Sequence, residues 1–119
     1  MSIERMTQLG NIHISQEAIA MLAGGVVTEC YGVVGMASQK VLKDGFAELL
    51  KKENFTKGVV VRKDEHGFEI DLYIVLMYGI RISEVVASIQ QKVKYMLEKS
   101  LEQTFTKVNI YVQGLKVNE

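Results

Sequence analysis

From Phe68 to Tyr78 every second residue is apolar: Phe68, Ile70, Leu72, Ile74, Leu76 and Tyr78. A period of two held over that length suits a strand, whose side chains leave alternately to its two faces, and not a helix. It is the strongest strand signal in the chain. Its first partner is next to it in sequence. Val59-Val60-Val61 is a short β-branched run, and Asp64-Glu65-His66-Gly67 has the composition of a hairpin turn.

The flanking segments supply the other elements. Gly10-Asn11-Ile12-His13-Ile14 alternates as a short strand. Ser15 follows as an N-cap, Glu17 suits the helix dipole, and Ile14 with Ile19 forms a hydrophobic staple. Ala18, Ile19, Leu22 and Val26 then mark one face of a first helix. Gly24-Gly25 inside it marks a close approach or a bend. Tyr31 to Met36 reads as a short buried strand with glycines at 32 and 35. Val41, Leu42, Phe46, Leu49 and Leu50 recur at helical spacing and predict a second helix through residue 53, with Gly45 its weak point. After Gly79, Ser83 is the expected N-cap of a third helix carrying Val85, Val86, Ile89, Val93, Met96, Leu97 and Leu101 on one stripe. Val108, Ile110 and Val112 alternate as a last strand, and residues 1–10 read as a loose lead-in. The expected order is β-α-β-α-β-β-α-β. That is an α+β fold with an antiparallel or mixed sheet and helices mainly on one face.

A chain of 119 residues is expected to form a single domain over 1–119. Fourteen basic and fourteen acidic residues leave no net charge to draw the chain toward nucleic acid or anionic lipid. One cysteine excludes an internal disulfide and fits a reducing, cytoplasmic setting. The first residues lack the pattern of a signal peptide, and the weakly polar run from Ala18 to Thr28 is too short to span a membrane.

The residues offer little chemistry. His13 and His66 have no second ligand at a useful spacing, and Cys30 is the lone thiol, so no metal is expected. Cys30 ends the first helix, where the dipole disfavours a thiolate, and it reads as a small apolar side chain. Asp64, Glu65, Glu69 and Asp71 gather around the hairpin, and Glu69 and Asp71 share a strand face without a nearby substrate-binding motif. Gly32-Val33-Val34-Gly35 matches the glycine spacing of a KH loop but has valines where phosphate-facing groups belong. No cofactor is expected, and the chain reads as a non-enzyme.

The most informative surface is the second face of the sheet. Tyr73, Val75 and Met77 lie opposite the long apolar row, and Asn109, Tyr111 and Gln113 lie opposite the last strand's apolar row. Two readings remain open. The first helix covers this face, or the six residues form a contact patch for a protein partner or a second copy. Sheet aromatics also stack on bases, which makes an RNA-binding module the alternative; balanced charge favours a protein. A small regulatory subunit of a metabolic enzyme is a further alternative. Val59-Val60-Val61 is either a sheet edge guarded by Arg62-Lys63 or a strand that pairs with another copy.

Four segments in order resemble the alkaline shock protein family, the envelope-stress-response proteins of Gram-positive bacteria, and above all its small YloU-type members. They are Ile12 to Ile19 with Ala23-Gly24-Gly25, Tyr31 to Met36, Tyr78-Gly79 through Ile82 to Val85, and Val108 to Gly114. The resemblance implies a non-enzymatic cytoplasmic scaffold or adaptor that works by protein–protein contact and self-association in cell-envelope homeostasis. It implies recruitment to the membrane through a separate membrane-anchored protein, without direct insertion, and no catalytic residues.

Overall fold

The computed structural model describes residues 2–7, 10–41 and 47–117. The long alternating run becomes β6 (Gly67–Met77), and the sheet is arranged around it. β5 (Val59–Asp64) returns antiparallel along its first half through the predicted turn, where the Asp64 carboxylate accepts from the backbone N–H groups of His66 (2.8 Å) and Gly67 (3.0 Å). β3 (Val33–Val41) takes the same side of β6 further on, also antiparallel. α2 (Ile82–Leu101) carries the chain back, so β7 (Phe105–Lys116) runs parallel to β6 along its other side. The sheet is mixed, and the fold is α+β.

Both long helices pack on one face of this sheet. α1 (Gln16–Thr28) is capped as expected, with the Ser15 hydroxyl accepting from the Ala18 N–H at 3.1 Å. It buries Ile19, Ala20, Ala23, Val26 and Val27, while Ala18 is exposed. α2 buries Val85, Ile89, Val93, Leu97 and Leu101 at helical spacing. These side chains meet Phe68, Ile70, Leu72, Ile74 and Leu76 in one core, where the Phe68 and Phe105 rings stack at 5.5 Å. Full burial of each such side chain is worth roughly 1.5–3 kcal/mol. Tyr78, the last member of the alternating run, lies beyond the strand and is exposed.

Two glycines have identifiable work. A Cβ on Gly24 would stand 3.3 Å from the Phe55 ring, so the helix is smooth there because a side chain approaches it closely. Gly32 holds φ +85° at the turn into β3, and a Cβ there would sit 2.7 Å from Ile80 Cδ1.

Three expectations need correction. The second helix is not an α-helix: its segment contains the end of β3, β4 (Ala47–Leu49) and the start of a 3-10 helix (Lys52–Gly58). Ala37 pairs with Leu49 and Val41 with Ala47, and the Leu50 N–H donates to the Met36 carbonyl at 2.8 Å. Strand pairing to β3 therefore outweighs the helical spacing of the apolar residues, while residues 42–46 lie outside the described residues. The 3-10 helix occupies the second helix's place in the order. The lead-in is a strand, β1 (Ser2–Thr7), paired antiparallel with β2 (Gly10–Ser15) so that Ile3 faces Ile14 in register. Its polar and apolar residues do not alternate cleanly, which hid it. Finally, α2 begins at Ile82 after Arg81 with no side-chain cap, so Ser83 lies inside the first turn. Arg81 and Glu84 make an exposed contact there at 3.3 Å.

Candidate partner surface

Because α1 and α2 share one face, helix one does not cover the other; that reading is excluded. Parallel register between β6 and β7 places Asp71 beside Asn109 and Tyr73 beside Tyr111. The six predicted residues are thereby brought to one side of the sheet, but they do not do the same work.

At the end near the β5–β6 turn the face is a polar knot. Asp71 is 3% exposed, the one buried charged residue among the described residues. Arg62, opposite Glu69 on β5, grips Asp71 with both terminal nitrogens and also donates to Glu69. The Asn109 amide donates to Glu69 Oε2 and to Asp71 Oδ1, each at 2.9 Å. Burial alone would raise the Asp71 pKa, but hydrogen bonds from Arg62 and Asn109 outweigh it and hold the carboxyl below its ordinary value. The same bonds keep Arg62 firmly protonated. Glu69 and Asp71 thus serve as acceptors in a satisfied ion-pair network, not as an acid/base couple.

Next to the knot, the Tyr73 and Tyr111 rings lie nearly parallel, 13° apart, with centroids 4.8 Å apart. Burial, with the Asp71 charge behind it, pushes the Tyr73 phenol up in pKa. Tyr73 is half-buried and Tyr111 is 43% exposed, so Tyr111 presents the stack to solvent. Val75 is buried, Met77 half-buried. The Gln113 amide donates to the carbonyls of Ser38 (3.2 Å) and Gln39 (3.3 Å), tying β7 to β3. The outward-facing part of the patch is therefore narrower than the sequence pattern implied and centres on Tyr111.

Arg62 was not among the predicted patch residues. A signal for it existed: the two-residue turn at Glu65-His66 fixes the register and sets Arg62 opposite Glu69 by counting. Its expected role as an edge guard is only half right. β5 does end the sheet, but Arg62 turns onto the open face, while the Gln16 amide of α1 meets the Val61 carbonyl at 3.0 Å.

The other singled-out residues lie apart. His66 is exposed beside Glu65 at the hairpin tip, and the His13 side chain lies outside the described residues. Cys30 donates its thiol to the Val26 carbonyl at 3.3 Å, and burial raises its pKa, so it is a protonated, partly buried side chain at pH 7. Among the described residues no helix is long and apolar enough to cross a membrane.

A sequence model of the alkaline shock protein 23 family, described by a cell envelope-related function, matches residues 4–117. The protein YloU of Bacillus subtilis (strain 168) is 51% identical over 117 residues, covering 98% of each chain. Spy1614 of Streptococcus pyogenes serotype M6 is 48% identical over 117 residues, covering 98% of this chain and 97% of its own. In fold alone, a solved MamM-CTD variant is similar with a TM-score of 0.50 at 11% identity, over 88% of this chain and 100% of that one. With the family match and both relatives spanning nearly its whole length, the chain belongs to the alkaline shock protein 23 family of cell envelope-related proteins.

Proposed function

We propose that this chain is a non-enzymatic cytoplasmic scaffold or adaptor that acts by protein–protein contact in cell-envelope homeostasis, with a membrane-anchored protein as one partner. The observation that carries this reading is the exposed Tyr111 ring, stacked on Tyr73 beside the Arg62–Asp71–Asn109 knot. An aromatic held against a rigid neighbour loses little conformational freedom on binding, and tyrosine is enriched at interfaces. The knot satisfies its own charges and is poorly suited to phosphate, since Arg62 is already committed to two carboxylates. That supports a protein partner over RNA.

The test is a cross-linked affinity capture of the tagged full chain from native cells, with ultraviolet absorbance read for nucleic acid. A reproducible protein partner that Tyr111→Ala fails to capture is the expected result. Nucleic acid surviving moderate salt, with no protein partner, would replace this reading with the RNA alternative.

A further inference from the structure

The 3-10 helix is held closely on two sides. Gly24 makes room for its Phe55 ring, and a Cβ on Gly58 would stand 2.8 Å from the Ala37 carbonyl oxygen and 3.2 Å from Met36. Despite this fit, a cavity of about 360 Å³ remains between the 3-10 helix, α1 and β3. Its walls are Val34, Gly35 and Met36 of β3, with Leu50, Phe55 and Thr28. Close-packed interiors leave few voids larger than a water, and this volume falls within the range of small-molecule pockets. The Thr28 hydroxyl donates to the Gly25 carbonyl at 3.1 Å, so it adds no unused donor to these walls. Thr28 is exposed, and the cavity opens to solvent beside it.

Leu50 is also a wall of a second cavity, of about 400 Å³, whose other walls include Lys40, Glu48, Asn54 and Lys57. Part of its polar inventory is committed. The Ser38 hydroxyl accepts from the Lys40 backbone N–H at 3.2 Å, and the Gln39 amide donates to the Lys57 carbonyl at 2.9 Å. The ammonium groups of Lys40 and Lys57 are not: none of the described ion pairs involves either. Two cations against the one carboxylate of Glu48 leave this compartment positive.

An apolar compartment and a cationic one therefore meet at a single half-buried leucine. A ligand that satisfies both is apolar along most of its length and anionic at one end. At the roughly 30 Å³ that a water takes in the liquid, the apolar compartment holds about twelve groups of that size, enough for one alkyl chain and too few for two.

We propose that the two cavities form one site for a single-chain amphiphile. Its chain, of about ten carbons, lies among Val34, Met36, Leu50 and Phe55, and its carboxylate or phosphate head lies beside Lys40 and Lys57. The site uses none of the residues on which the adaptor reading rests, so the two fail separately.

The experiment is a methyl NMR titration of the full chain with decanoate, decyl phosphate and uncharged decanol, each below its aggregation limit. Saturable one-to-one binding is expected, with the largest shifts at the Val34, Met36 and Leu50 methyls. The tighter of the two anions identifies the head group. Exchanging both cations, Lys40→Gln with Lys57→Gln, should weaken the anions about tenfold and leave decanol unchanged. Thr28→Leu, which fills the mouth of the apolar compartment from an exposed position, should weaken all three ligands. Shifts centred elsewhere, equal loss of decanol and decanoate in the lysine variant, or binding only to phosphatidylglycerol vesicles and to no monomeric ligand would overturn the proposal.

Discussion

The two faces of β6 are held in place by different physics. On one, Phe68, Ile70, Leu72, Ile74 and Leu76 are all buried against α1 and α2, and each could be exchanged for another apolar side chain of similar volume at modest cost. On the other, the same strand carries Glu69, Asp71 and Tyr73, whose partners Arg62, Asn109 and Tyr111 come from two different neighbours. The first face is a requirement on pattern; the second is a requirement on identity. A strand that needs only burial on one side is free to specialise on the other, which is why the polar knot and the tyrosine stack can coexist with a fully apolar core.

The largest expected effect lies on the core face. Leu72→Ala should cost about 2–5 kcal/mol in urea unfolding, because a closely packed site cannot collapse around the cavity. A loss below about 1 kcal/mol would mean that the core face is loosely packed.

On the open face, Arg62→Met should cost less, about 1–2 kcal/mol, since it strands the Asp71 carboxylate but removes a side chain that is itself 47% exposed. A cost as large as that of Leu72→Ala would erase the distinction between the faces. Asp71→Asn adds a pH signature. The folded pKa of Asp71 lies below its unfolded value, so its contribution is present above the unfolded value of about 3.9 and is lost as pH falls through the folded one. Unfolding midpoints between neutral pH and acid should thus fall less steeply for Asp71→Asn than for the parent. Parallel curves would show that the knot contributes nothing through titration.

The face that needs only burial was the readable one. The alternation in β6, the Ser15 cap and the Asp64 turn are local signals, and each forms as expected. The open face depends on contacts between residues 38 to 40 positions apart, such as Asn109 with Asp71 and Glu69, which no local period encodes. Tyr73 and Tyr111 were recognisable as belonging to one face, yet their stacking required the parallel register of β7, and the internal use of Gln113 required the path of β3. The segment from Val41 to Leu50 failed for a related reason. Its helical spacing was genuine, but pairing of Ala37 with Leu49 and of Val41 with Ala47 supplies the backbone with other hydrogen-bond partners.

The smallest stability effect should come from the residue with the largest proposed effect on binding. Tyr111→Ala removes an exposed ring from a stacked pair, a loss of about 0.5–1.5 kcal/mol. Measuring partner capture and the unfolding midpoint side by side for Tyr111→Ala and the parent tests the separation of the faces most directly. The account predicts capture reduced at least about tenfold, equivalent to 1.4 kcal/mol of binding free energy, with the fold intact. Full capture by Tyr111→Ala, or a destabilisation as large as that of Leu72→Ala, would contradict it and assign Tyr111 to the architecture of the sheet.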